Sequence, residues 1–170
     1  MEELKQSISL LMQKKGYSEN VLSLLTLIKE GRIAEKNTVL EKLGIRRITD
    51  MKSPMIIVIL DYAELCLDDD ILTELEMKCI LWLKAFCGIE DGDFYKCGEQ
   101  RRVKEILKKQ LKKMYQDDVI DKKEALMKVD LQELFGLSYD EFLDIVNEIA
   151  KESLNRGAKI ENLDTVILKK

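Results

Sequence analysis

Two acidic stretches hold the side chains best suited to chemistry in this chain: "DDDILTELE", opening at Asp68, and "QDDVIDKKE", opening at Gln116. They lie 48 positions apart and share an order: Asp, Asp, any residue, Leu or Ile, Thr or Asp, two residues, Glu. Calcium and magnesium are bound by oxygen ligands, and calcium accepts them from flexible loops. Asp117, Asp121 and Glu124 are the candidate ligands in the second stretch, with Asp69, Asp70 and Glu76 in the first. The same residues also read as helix starts. Thr73 with Glu76, and Asp121 with Glu124, have capping-box spacing, and acids in a first turn complement the helix dipole. An EF-hand is excluded: counting from Asp117, Lys128 stands where the bidentate Glu belongs, Val119 replaces a side-chain ligand, and the loop glycine is missing.

A second candidate is the basic run "RRVKEILKKQLKKM", residues 101–114. At helical spacing Arg101, Lys104, Lys108 and Lys112 form one stripe, with Arg102, Lys109 and Lys113 beside it. Val103, Ile106, Leu107, Leu111 and Met114 take the inward face. Such a stripe suits a protein partner or a polyanion. A nucleic-acid role is not expected, because the net charge is −4 and no aromatic interleaves the cations. The other reading is a solvated face, or one that answers the acidic loops across the bundle.

Catalytic signatures are few. There is no histidine to act as a base toward a serine or cysteine, and no Gly-rich phosphate loop. Cys66, Cys79, Cys87 and Cys97 form no CxxC pair and fit no zinc pattern, so reduced, buried thiols are expected. The expectation is a non-enzymatic binding module. The longest unbroken apolar run, "MIIVIL", is six residues, far too short to span a bilayer, and the first residues do not read as a signal peptide. A cytoplasmic protein without membrane insertion is expected.

What positions these groups is helical. Pro54 is the only proline, glycines number 8, and apolar residues recur at helix spacing. The pattern predicts helices ending at Gly16, Gly31 (after a Ser18 cap) and Gly44, then Met55–Cys66 with Ser53 as N-cap and Pro54 at the first helical position. Further helices are predicted over Glu74–Cys87, Gln100–Tyr115, Lys122–Phe135 and Tyr139–Arg156, with a short turn or helix near Asp91–Cys97. The fold class is thus all-α, a single compact bundle of about seven helices. The tail "AKIENLDTVILKK" reads equally as a docked segment or a frayed end.

Residues 55–94 slide onto 103–142 without a gap, matching Leu83 to Leu131, Gly88 to Gly136 and Phe94 to Phe142. Ile56 and Leu60, however, fall on Lys104 and Lys108, so the first copy's opening helix is expected to be buried where the second's is solvated. Each unit reads as helix, acidic loop, helix, Gly turn, helix. This unit resembles the TerB-like domain of tellurite-resistance and related stress proteins. Those domains are all-helical and duplicated, with an Asp-Gly…Ile…Glu loop-to-helix motif. The matching positions are Asp69, Leu72, Thr73 and Glu76, then Asp117, Ile120, Asp121 and Glu124, followed by "LFGLSYDEF". The family's Gly is Asp70 or Asp118 here, and Thr73 replaces an acid, which leaves the second loop as the better-matched metal candidate. The resemblance covers about residues 53–157 and implies divalent-cation binding and stress-linked partner recruitment rather than catalysis. Residues 1–50 are then an N-terminal helical extension and 158–170 a tail, within one domain.

Overall fold

The computed structural model describes residues 2–69, 71–117, 119–120 and 122–159. Among these residues all regular structure is helical: α1 (Glu2–Lys14), α2 (Glu19–Lys29), α3 (Lys36–Lys42), α4 (Lys52–Asp69), α5 (Glu74–Cys87), α6 (Asp93–Lys96), α7 (Gln100–Met114), α8 (Lys122–Phe135) and α9 (Tyr139–Arg156). Two 3-10 turns, Ile33–Glu35 and Ile48–Met51, precede α3 and α4. The nine helices described exceed the expected count of about seven, although the segments of α3 and α6, the two shortest, are both expected from the pattern.

The apolar run at the start of α4 is helix, and its burial explains why periodicity alone was ambiguous. Met55, Ile56, Val58, Ile59, Leu60, Tyr62 and Ala63 are all buried, because α1, α5 and α7 pack around the helix. A helix with neighbours on most sides loses the polar stripe that normally marks it. Its start differs from expectation. The 3-10 turn Ile48–Met51 feeds directly into α4, and Lys52 already has helical dihedrals (φ −52°, ψ −53°). Ser53 is thus inside the helix rather than its cap. Pro54 remains in the first turn, where a missing N–H removes no intrahelical bond.

Local signals set the other boundaries. Thr73 caps α5 and Ser138 caps α9, each in a capping box with Glu76 and Glu141 respectively. Leu72, just before α5, is buried, and its N–H donates to Gln110 Oε1 of α7 at 2.7 Å. That fully buried amide fixes the α4–α5 loop against α7. Hydrophobic residues from Leu4 to Ala150 form one cluster, so α1 and α2 share a core with α4–α9.

The turns that end α5 and α8 both use a left-handed glycine, Gly88 (φ 63°) and Gly136 (φ 62°). At Gly136 a Cβ would lie 3.0 Å from the Asp91 Cα, so the turn after α8 sits directly on the loop after α5. Gly136→Ala therefore combines a left-handed penalty of about 1–2 kcal/mol with a backbone collision. It is expected to lower stability in urea unfolding clearly more than Gly98→Ala, where φ is also positive but no atom lies within 4 Å.

Candidate functional site

The acidic loops come first. In the first, Thr73 N and Thr73 Oγ1 both donate to Glu76 Oε2, at 2.8 and 2.9 Å. Glu76 is thus engaged in capping α5. Asp69 is the last residue of α4; Asp70 lies outside the described residues, as does the side chain of Asp69. In the second loop Asp117 Oδ1 accepts the Val119 N–H at 3.1 Å, and Glu124 sits half-buried in the first turn of α8. Asp121, with its capping role or ligand role, also lies outside the described residues. Among the described residues, no three Asp, Glu, Cys or His side chains converge as a metal site.

On α7 the inward residues are as the spacing predicts: Val103, Ile106, Leu107, Leu111 and Met114 are all buried. The outward stripe meets acids within the fold. Arg101 pairs with Glu105 at 3.0 Å, Lys108 with Glu148 at 2.6 Å and Lys112 with Glu152 at 3.0 Å. Both partners advance by four residues, so α7 and α9 run in the same direction. Lys104 adds its charge near Glu141, whose carboxyl is held below its usual range first by hydrogen bonds from Ser138. The stripe is thus matched by α9 rather than by the acidic loops.

Arg102 belongs to a different group. Its guanidinium makes a two-pronged pair with Glu64, at 2.7 Å on each side, and reaches Asp61 as well. Asp61 is buried, and it also accepts Tyr17 Oη at 2.6 Å and faces Lys15 Nζ at 3.1 Å. Burial alone would raise the Asp61 pKa, but the bonds from Tyr17, Arg102 and Lys15 bring it below the usual carboxylate range. Burial beside Asp61 pushes the Tyr17 phenol up, so it stays a hydrogen-bond donor.

A second buried group joins α5, α6 and α8. Lys84 Nζ donates to the Leu134 carbonyl in the last turn of α8 at 2.8 Å and lies 3.6 Å from Asp91. Burial lowers the Lys84 pKa, and Asp91 and Asp93 oppose that shift. Asp93 pairs with Lys52 at 2.6 Å and accepts the Glu90 N–H at 2.9 Å.

Sequence reasoning missed a seam between α5 and α8. It encloses about 210 Å³ and is lined by Met77, Leu81 and Leu134, with Glu74, Lys78, Asp130 and Glu133 at its edges. Leu81 is 49% exposed, and along α8 Leu126 (68%) and Val129 (53%) lie open to solvent. Leu126 is four residues before Asp130, so it extends the seam toward the start of α8. The available signal was that Leu126 and Val129 stand off the inward stripe of Met127, Leu131, Leu134 and Phe135. Three of the four thiols, at Cys66, Cys79 and Cys87, are buried, and burial pushes Cys87 up to about 12.

No protein-family model, characterised protein or solved structure matches this chain. No described helix is long and apolar enough to cross a membrane.

The Asp93 cluster yields a test. The bond from Lys52 is the main reason its carboxyl titrates at about 2, against about 3.9 when unfolded. The depressed value stabilises the fold above the unfolded pKa, and that contribution is lost as pH falls from about 4 to 2. Asp93→Asn is expected to lower the melting temperature at pH 7, with the gap from wild type narrowing over that acid range in calorimetry. A gap that stays constant would assign the loss to packing.

Proposed function

We propose that this chain is a non-enzymatic binding module of the TerB-like type, built from two copies of one helical unit, that recruits a protein partner through the α5–α8 seam. The duplication is supported by the common plan of α4–α5–α6 and α7–α8–α9. In each half a glycine with φ near 60° closes the middle helix, and a buried Phe, Phe94 or Phe142, follows in the third helix. The observation that carries the binding role is the α5–α8 seam, where exposed Leu81 lies with Met77 and Leu134 beside three carboxylates, together with the exposure of Leu126 and Val129 along α8. A soluble domain gains nothing in stability from an exposed strip of this kind, whereas partner helices are commonly gripped by such grooves. The acids at Glu74, Asp130 and Glu133 favour an apolar segment that also carries Lys or Arg. The family resemblance adds a stress-linked setting, and four free thiols suit a reducing cytosol.

A random-peptide display selection against the full chain is expected to enrich apolar sequences carrying Lys or Arg. Leu126→Glu/Val129→Glu is expected to weaken their binding by about tenfold or more while melting as wild type does. Equal binding to both proteins would remove the seam from the proposal.

A divalent cation at Asp117, Asp121 and Glu124 is the second reading. It rests on the closer match of the second loop to the family motif, where an acid, Asp121, stands at the position of Thr73, and on Asp117, whose Oδ1 accepts the Val119 N–H. Millimolar calcium, magnesium or manganese is then expected to raise the melting temperature of wild type and not of Asp117→Asn/Glu124→Gln. No shift with any of the ions would leave these acids as helix-start residues.

A further inference from the structure

The α5–α8 seam carries a pair of acids whose spacing the fold satisfies elsewhere. On α4, Asp61 and Glu64 stand three residues apart, and Arg102 of the neighbouring α7 answers both with one guanidinium. On α8, Asp130 and Glu133 have the same spacing, and both line the seam. Among the described residues no cation pairs with either of them, or with Glu74 on the facing helix. We propose that the seam is a binding site for an arginine side chain of a partner, with the guanidinium forked across Asp130 and Glu133 and the aliphatic stem on Met77, Leu81 and Leu134. This rests on reading the seam as a binding surface and names the residue that enters it.

Charge comes first. Other acids between helices of this bundle are matched: Glu148 by Lys108, Glu152 by Lys112 and Asp93 by Lys52. The seam edge holds three carboxylates and one ammonium, Lys78, which among the described residues bonds to none of them. That excess leaves a negative potential that draws a cation in. Residues three apart on a helix have Cβ atoms about 5–6 Å from each other, so one planar fork can span the pair. An ammonium is a point charge and lacks that fork.

Shape agrees with charge. Met77 and Leu134 are buried and Leu81 is half open, which puts an apolar floor beneath an acidic rim. An arginine needs both, because its stem packs on apolar surface while its head stays polar. The enclosed volume of about 210 Å³ falls below the roughly 300–1,000 Å³ of a small-molecule pocket, and so suits a single side chain. Arginine is also among the residues that anchor protein interfaces most often. A partner that covers the seam would take the paired charges out of water and strengthen each bond between them.

The test titrates hexylguanidinium into the isotope-labelled full chain and follows backbone amides by NMR, with hexylammonium and hexanol as comparisons. Hexylguanidinium is expected to shift amides of residues 77–81 and 130–134 and to bind about tenfold or more tightly than hexanol, with hexylammonium between them. Asp130→Asn/Glu133→Gln is expected to melt as wild type does and to bind hexylguanidinium no better than hexanol. Equal affinity for all three probes would reduce the seam to apolar contact and overturn the proposal. Equal affinity for hexylguanidinium and hexylammonium would overturn it too, as would shifts confined to residues away from the seam. The partner surface itself is judged separately, by the peptide selection and Leu126→Glu/Val129→Glu. Enriched peptides whose binding survives replacement of every arginine by citrulline would keep that surface and remove the arginine. Hexylguanidinium bound at the seam with no peptide enriched would keep the guanidinium site and remove the protein partner.

Discussion

The fold depends on one buried carboxylate. Asp61 sits near the middle of α4, where an uncompensated charge would cost several kcal/mol. Its compensation comes from three directions: Lys15 at the end of α1, Tyr17 in the following loop and Arg102 on α7. The N-terminal helices are therefore structural parts of the core. They supply two of the polar partners of Asp61, and Leu4, Ile8 and Leu11 add apolar burial. Arg102 is suited to its place because a guanidinium can satisfy Glu64 with a planar fork and still reach Asp61, which an ammonium cannot do.

A comparable arrangement joins α5 to α8. The buried Lys84 of α5 donates to a carbonyl at the C-terminal end of α8, where helix carbonyls lack intrahelical donors and the dipole favours a cation. Phe94 and Phe135 meet edge to face at 5.7 Å in the same region. The glycine turn after α8 lies against Asp91. A side chain of α5 thus completes the end of α8, and the turn closing α8 packs on the loop after α5, so these helices are tied together where they end.

The sequence was most informative where the determinants are local. The Thr73–Glu76 cap involves residues three apart and was legible from spacing, as was the inward face of α7. Helix rather than strand for the start of α4 was also legible, though the exact start was not, because a 3-10 turn has no fixed residue code. Pairings over long separations were hidden. Nothing in the order of residues says that Gln110 will hold the Leu72 N–H, or that Arg102 will leave the basic stripe to meet Asp61 and Glu64. The neutralisation of Lys108 and Lys112 was equally hidden, since it follows from α7 and α9 running side by side in one direction. The seam was missed because an isolated exposed leucine is unremarkable until its neighbours across α5 are known.

The placement of the cysteines has a kinetic consequence. A thiol reacts as its thiolate and only when reagent can reach it. Cys66, Cys79 and Cys87 are out of reach while α4 and α5 remain packed, and burial also pushes the Cys66 and Cys87 thiols up, whereas Cys97, near the surface beyond α6, is half-buried. Alkylation of the first three must then wait for the α4–α5 pair to open, while Cys97 reports only on its immediate surroundings. The molecule carries a built-in clock, in which the lag between the early thiol and the late three measures how long its centre stays closed.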